Sequence, residues 1–246
     1  MSRSFKLGVL AAAVMAAAPM AQAYEAGDFI GRAGAVTVDP DSSSSDLNSN
    51  AVGTLTGAKV SVDSNTQLGL TVSYMLTDQI ALGVLAATPF KHDIEGDGGL
   101  SGAGKLGETK HLPPTVTLQF FPMPSNSKFQ PYAGVGFNYT NFFEEKTTST
   151  LTDTYDAVAQ ANLGTPAGTI DRTDLSLDDS FGLAAEIGMD YMITDNIGLN
   201  AAVWWADIDT EATIGAYTAD GTKADTSTID VDIDPWVYMV GVSYKF

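Results

Sequence analysis

Apolar and polar residues alternate along most of the chain, and this period of two is typical of a strand whose two faces meet different surroundings. Residues 67–76, for example, place Leu68, Leu70, Val72, Tyr74 and Leu76 on one face. The same pattern recurs near 27–38, 79–87, 111–121, 132–140, 180–193, 196–205 and 230–246. It predicts about eight strands and an all-β fold.

The connections between these strands alternate in length. Residues 77–79, 122–128 and 194–196 are short, whereas 39–66, 89–107, 144–177 and 209–228 are long, polar and rich in Gly, Ser, Thr and Asp. A soluble β-sandwich would also alternate, but it does not account for this rhythm. Short turns at one end and long loops at the other are typical of outer-membrane barrels. We therefore expect an eight-stranded antiparallel transmembrane β-barrel with short periplasmic turns and long extracellular loops.

The first 23 residues have the features of a cleaved secretory signal peptide. Arg3 and Lys6 precede an apolar run over 7–18, and Ala21-Gln22-Ala23 is a small-x-small cleavage site. A membrane-anchoring helix is the alternative, but the run is short and Pro19 follows it. We expect residues 1–23 to be removed and 24–246 to form the barrel.

Composition narrows the possible partners. The 246 residues carry a net charge of −18 and include no cysteine, although 44% are hydrophobic. Loss of Arg3 and Lys6 would make the charge −20. Such a charge argues against nucleic acid as a partner and against docking on anionic lipid through basic residues. Without disulfides, stability must come from a packed core, a closed sheet or lipid.

The C-terminal segment alternates to its last residue. We expect its even-numbered side chains to face outward, with acids above the membrane and aromatic residues at both interfaces. These residues are Asp230, Asp232, Asp234, Trp236, Tyr238, Val240, Val242, Tyr244 and Phe246. The aspartates form either a solvated strand end or a site where divalent cations bridge to lipopolysaccharide phosphates. Tyr244 and the final Phe246 resemble the signal by which the barrel assembly machinery recognises its precursors.

Four segments, 110–121, 130–143, 181–193 and 232–246, resemble the outer membrane protein W (OmpW/AlkL) family. Their His-Leu-Pro-Pro and Asp-Pro-Trp-Val sequences are the most specific parts. The resemblance implies an eight-stranded barrel with a narrow, apolar lumen that admits small hydrophobic molecules and releases them sideways into the membrane.

The inward-facing residues predict a lumen with two different ends. Near the periplasmic end, Arg32, Glu186 and Lys245, with Gln119 and Asn200, predict a salt-bridged plug in which Arg32 or Lys245 lies close to Glu186 or Asp190. Farther up, the inward residues form a predicted ligand-binding lumen: Leu85, Pro113, Trp204, Val237 and Met239. Such a lumen suits one small hydrophobic molecule, or its side chains simply fill the barrel.

Pro113 and Pro114 interrupt an otherwise regular strand pattern. Proline lacks an N–H group, and two missing ladder donors are costly where water is scarce. Either the pair lies above the membrane, or it marks a lateral opening in the barrel wall.

Other motifs offer little chemistry. Asp39, Asp41 and Asp46 lack the glycine and glutamate of a calcium loop. Ser125 and Lys128 match a Ser-x-x-Lys pattern, but they lie in a turn between prolines. His92 and His111 are too far apart in sequence to indicate a metal site. We predict no enzymatic activity, no metal and no cofactor.

Two functions from different classes follow. The first is an outer-membrane channel for the uptake of small hydrophobic molecules by lateral diffusion. The second is a structural or surface-interaction barrel whose acidic loops bind ions, lipopolysaccharide or phage without transport. Both place the protein in the bacterial outer membrane, among its lipids and lipopolysaccharide.

Overall fold

Eight long strands close into an antiparallel barrel in a computed structural model that describes residues 24–246. The predicted signal peptide, 1–23, lies outside the described residues. The barrel strands are β1 (Phe29–Asp39), β6 (Asn65–Met75), β7 (Ile80–Ala87), β10 (Thr115–Phe120), β11 (Phe129–Thr147), β13 (Ser180–Met192), β14 (Ile197–Ala206) and β17 (Trp236–Lys245). Each pairs with the next along the chain, and β17 pairs with β1 from Ile30–Lys245 to Asp39–Trp236. The predicted fold class is confirmed.

Alternation along the barrel strands places apolar side chains on the outside, as the sequence predicts. Leu68, Leu70 and Val72 of β6 are each about half exposed, and Val240 and Val242 of β17 are exposed to at least the same degree. In a soluble protein such a surface would promote aggregation, but in lipid it is the favoured one. The short connections and both ends of the described chain lie at one end of the barrel, which is the periplasmic end. There Phe246 N–H donates to the Phe29 carbonyl at 2.9 Å, which completes the seam.

The long connections contain more regular structure than the sequence pattern suggests. They form β2 (Ser43–Ser44), β3 (Leu47–Ser49), β4 (Gly53–Leu55), β5 (Ala58–Val62), β8 (Phe90–Gly98), β9 (Lys105–Leu112), helix α1 (Ser149–Leu163), β12 (Arg172–Leu177), β15 (Asp209–Tyr217) and β16 (Lys223–Asp232). Buried Leu106, Leu151, Ile214 and Ile229 belong to a second apolar cluster inside this extracellular part. The long connections thus pack around an apolar core of their own, and their strands extend the barrel wall above the membrane. Among residues 24–246, no helix has the length and hydropathy to cross a bilayer.

Two strands predicted as continuous are broken where the barrel meets this extracellular part. The predicted strand over 111–121 divides at Pro113-Pro114 into β9 and β10. The C-terminal strand divides at 233–235, where Asp234 adopts a positive φ of 37°. Asp230 and Asp232 therefore belong to β16, not to the strand that carries Trp236. On both sides of the break at 233–235, the even-numbered residues still face outward.

Candidate functional site

The periplasmic half of the lumen contains a buried ion pair. Arg32 of β1 and Asp190 of β13 lie 2.6 Å apart from Nη2 to Oδ2, and both side chains are fully buried. Arg32 Nε also donates to both Asp190 oxygens at 3.1 Å, and its Nη1 donates to Ser73 Oγ at 2.8 Å. Charged groups in so narrow a space are tolerated only when paired and hydrogen-bonded, as these are.

Neighbouring side chains complete the hydrogen bonding of Asp190. Tyr24 donates its hydroxyl to Asp190 Oδ2 at 2.8 Å, and Asn200 Nδ2 donates to Oδ1 at 2.9 Å. The guanidinium of Arg32 stacks over the Tyr132 ring at 4.8 Å. Below this network, buried apolar side chains, among them Met75, Phe121 and Met192, fill the end of the barrel. Together they close the lumen toward the periplasm.

Glu186 has partners other than Arg32. Its Oε1 accepts hydrogen bonds from Thr117 Oγ1 at 2.5 Å and from Gln119 Nε2 at 2.8 Å. Two glycines in the wall make room for this group. A Cβ at Gly134 would lie 2.6 Å from Glu186 Oε1, and one at Gly83 would clash with Gln119 Nε2. Glu186 thus forms a second polar layer above the ion pair, four residues along β13 from Asp190.

Lys245 lies outside both layers. Its Nζ is 4.0 Å from Asp28 Oδ2, at the periplasmic rim, and the side chain is largely buried. Of the three residues predicted for the plug, Arg32 and Glu186 reach the lumen interior and Lys245 lies at its edge.

Above the polar layers the lumen becomes apolar. Leu85, Trp204, Val237 and Met239 are all buried in the barrel core. Leu85, Pro113, Trp204 and Val237 line a small cavity of about 20 Å³. Four of the five residues predicted to line the lumen therefore border one cavity, while Met239 is buried in the same core without lining that cavity. A role for these residues in ligand binding stays a prediction.

Two further apolar cavities continue upward through the extracellular part. The middle one has a volume of about 60 Å³ and shares Val38, His111 and Ile208 with the lowest cavity. The upper one has a volume of about 110 Å³ and shares Leu106 and Leu151, among others, with the middle one. The three cavities are stacked, and their walls are predominantly aliphatic and aromatic.

The barrel wall has a gap beside the lowest cavity. Leu85 of β7 pairs with Thr115 of β10, and Phe90 of β8 pairs with His111 of β9. Between these pairs, residues 86–89 and 112–114 have no ladder partners across the two segments. Three prolines, Pro89, Pro113 and Pro114, lie here. On the side that faces β11, residues 112–114 remain hydrogen-bonded to the barrel. Tyr139 N–H donates to the Pro114 carbonyl at 3.1 Å, and Asn138 Nδ2 donates to the Pro113 carbonyl at 3.1 Å.

The two histidines, distant in sequence, are neighbours in space. His92 of β8 and His111 of β9 have ring centroids 4.9 Å apart, and both line the middle cavity. Burial lowers the pKa of His92, and burial followed by repulsion from His92 lowers the pKa of His111 to about 3. Both rings are therefore neutral at physiological pH. Sequence spacing did not predict this pair because strand pairing alone brings the residues together.

The remaining motifs are accounted for by local structure. Asp46 Oδ1 accepts from the Gly57 N–H at 3.0 Å within the loops. Ser125 and Lys128 lie in the periplasmic connection between β10 and β11. Within 24–246, no three His, Cys, Asp or Glu side chains are grouped as metal ligands would be.

Two parts of the site were missed by sequence reasoning. Pro89 was not recognised as the third proline of the gap. Helix α1, which lines the upper cavity, falls in a segment that the strand pattern assigns to a long loop. Its signals are nevertheless present: Thr148 is a good N-cap, Gly164 a left-handed C-cap, and Leu151, Tyr155 and Val158 recur at helical spacing.

Comparison with known proteins identifies the family. The sequence profile of the OmpW family matches residues 25–246. Outer membrane protein W of Vibrio cholerae is 47% identical over 97% of both chains, and that of Escherichia coli K12 is 40% identical over 91% of both. The crystal structure of the outer membrane protein OprG from Pseudomonas aeruginosa superposes with a TM-score of 0.77 at 44% identity, over 92% of this chain and 99% of that one. With its closed eight-stranded barrel and lipid-facing apolar belt, the chain belongs to the OmpW family of bacterial outer-membrane proteins.

Proposed function

We propose that the protein takes small hydrophobic molecules from outside the cell through its three stacked cavities and releases them sideways into the outer membrane. The observation that carries the proposal is the position of the lowest cavity. Leu85 and Pro113 line it at the gap in the wall. Thr115, which also lines it, is two residues before Thr117, the hydrogen-bond partner of Glu186.

The chemistry of the path favours apolar cargo. The upper and middle cavities are lined by residues such as Val60, Leu106 and Ile229, and no lysine or arginine lines either one. An ion would lose its hydration there without compensation, whereas an apolar molecule gains by leaving water. The cavities are small, so side-chain movement must accompany passage.

The polar layers determine where the cargo leaves. The Arg32–Asp190 pair and the packed side chains below it close the direct route to the periplasm. A hydrophobic molecule that reaches Trp204 therefore has the gap beside Pro113 as its exit. Beyond the gap lies the outward apolar face that includes Val84 and Val116.

The prolines prevent the two segments beside this exit from pairing as adjacent β-strands. In an antiparallel pair, the N–H and C=O of one residue point to the same neighbour. Since the Pro114 carbonyl faces β11, the missing N–H of Pro113 is the one that would face the gap. Replacement of Pro113 by a strand-forming residue would supply a donor and favour pairing there.

The proposal is tested with the double variant Pro113→Val/Pro114→Val, and Pro114→Val alone is the matched control. Uptake of labelled octane or naphthalene is measured in cells with and without each protein. We expect slower uptake with the double variant and near-normal uptake with the control. The double variant should be at least as stable as the parent, because a restored ladder bond contributes about 1 kcal/mol.

Normal uptake by a well-folded double variant would overturn the sideways exit. Equal uptake in cells with and without the parent protein would overturn transport itself.

We propose the following partners. The barrel assembly machinery would recognise Tyr244 and Phe246 after removal of residues 1–23, and small hydrophobic solutes would be the cargo. Phe246 is 74% exposed on the outer face, and its ring contacts that of Tyr244 at 4.7 Å. An accessible aromatic terminus suits recognition before the barrel closes.

A surface-interaction barrel without transport is the second candidate. One observation favours it: Asp178, Asp179, Asp209, Glu211, Asp230 and Asp232 line a single groove on the extracellular part. Carboxylates so placed could bridge through divalent cations to lipopolysaccharide phosphates. Calcium-dependent binding of lipopolysaccharide that is lost in Asp230→Asn/Asp232→Asn, together with absent uptake, would favour this candidate.

A further inference from the structure

His92 and His111 are the only histidines of the chain, and both line the middle cavity of the proposed path. Their side chains are almost completely buried, and His111 lines the lowest cavity as well as the middle one. Phe90 and Phe142 flank the His111 ring at 5.4 Å and 5.8 Å. Two polar rings thus lie in a part of the path whose lining is mainly apolar.

Hydrogen bonding fixes the tautomer of His92. Its Nδ1 lies 2.5 Å from the backbone carbonyl oxygen of Asp63. A carbonyl only accepts, so the proton is on Nδ1 and the lone pair is on Nε2. Among the described residues, neither His92 Nε2 nor His111 Nδ1 has a hydrogen-bond partner, and both atoms are buried.

Both nitrogens carry an energetic cost in a packed core. A buried polar atom without a partner is destabilising, and phenylalanine in place of His111 would avoid that penalty, whereas His92 also donates to the Asp63 carbonyl. The neighbouring Phe90 and Phe142 show that the site accommodates rings without nitrogen. A transient partner that arrives through the path would satisfy both atoms.

We propose that His92 and His111 form a hydrogen-bonding site for hydrophobic molecules that carry one O–H group, such as aliphatic alcohols and phenols. The cargo hydroxyl donates to His92 Nε2, and its oxygen accepts from His111 Nδ1 in the tautomer that carries a proton there. The inference rests on the proposed function and specifies its substrate class.

Charge explains why the site suits a neutral hydroxyl. The middle cavity has no lysine or arginine among its lining residues, and both imidazoles are neutral. A carboxylate would therefore find no counter-charge. A metal ion would find two nitrogens and no further ligand grouped with them in the part of the chain that the structure describes.

The test uses the untagged mature protein in detergent micelles with its histidines labelled with ¹⁵N in the ring. Because the chain has two histidines, every ring-nitrogen signal comes from this site. 1-Octanol is titrated in, and octane is the matched probe without the hydroxyl. We expect octanol to shift the His92 Nε2 signal upfield, as hydrogen-bond acceptance does, and octane to leave it unchanged.

Affinity measurements on variants complete the test. His92→Phe should lower octanol affinity roughly ten-fold, the effect of one hydrogen bond of about 1.4 kcal/mol, and leave octane affinity unchanged. His92→Gln, whose amide oxygen can accept, should retain part of the octanol affinity.

The outcomes separate the two proposals. If octanol leaves the ring signals of the parent protein unchanged, or if octane shifts them equally, the hydroxyl site is refuted, whether or not the variants fold. Protein-dependent uptake of octane would in that case still stand. If the parent protein promotes uptake of neither molecule, the proposed transport function is refuted as well.

Discussion

Arg32 and Asp190 join two strands that are not neighbours in the barrel. They belong to β1 and β13, and their 2.6 Å ion pair crosses the lumen with both side chains fully buried. The pair therefore acts both as a brace between opposite walls and as the centre of the plug that closes the periplasmic end.

Removal of the cation should destabilise the barrel strongly. Arg32→Met leaves the Asp190 carboxylate buried without its counter-charge, and breaking a buried pair in this way costs about 3–5 kcal/mol. The midpoint of urea-induced unfolding in micelles measures the loss. Lys91→Met, which removes an exposed partner of Glu108, is the control and should change the midpoint little.

Because the plug closes the lumen, we expect it to block ion flow through the barrel. In planar bilayers the parent protein should show no steady, large conductance, because Arg32, Asp190 and the side chains below them fill the lumen. Such a conductance would contradict the closed periplasmic end.

Trp204 should determine which molecules fit the lowest cavity. The indole is almost fully buried and lines that cavity. Trp204→Ala should cost about 3–5 kcal/mol of stability, enlarge the lumen and allow bulkier hydrophobic solutes to pass relative to octane. Trp236→Ala, at a lipid-facing position, is the control. An unchanged ratio of bulky to slender solutes would show that Trp204 does not limit passage.

His111 should make the extracellular part sensitive to acid. Its pKa is about 3 in the folded protein because of burial and ordinary, near 6.5, when unfolded. The unfolded state therefore binds a proton first, and stability should fall by up to about 1.4 kcal/mol per pH unit between roughly pH 6.5 and pH 3. His92, whose pKa is also lowered, acts in the same direction.

Urea unfolding of the parent and of His111→Phe across this pH range checks the effect. As the pH falls, the free energy of unfolding of the parent protein should decrease more than that of His111→Phe. A constant difference would mean that His111 is protonated equally in both states.

Phe246 should matter for assembly rather than for the lumen. Phe246→Asp, or deletion of the residue, should reduce the amount of folded, heat-modifiable barrel in the outer membrane. Phe181→Ala removes another exposed, lipid-facing ring and is the control, which should assemble in nearly normal amounts. Normal assembly of Phe246→Asp would contradict the role of the terminus as a signal.

The barrel follows from the amino-acid sequence alone. Each membrane-spanning strand must present apolar side chains to lipid, so alternation can be recognised in every strand separately. The short and long connections lie at opposite ends of such a barrel, so their lengths alternate along the chain. For the same reason, the inward positions of Arg32, Glu186, Trp204 and Val237 could be predicted from the chain alone.

The tertiary structure decided how those inward residues pair and what the loops form. Arg32 pairs with Asp190 while Glu186 binds Thr117 and Gln119, because the stagger of the strands sets the height of each side chain. Phe90 pairs with His111, and His92 meets His111, only because β8 lies beside β9. Such contacts join residues far apart in sequence, and strand register, which alternation does not encode, determines them.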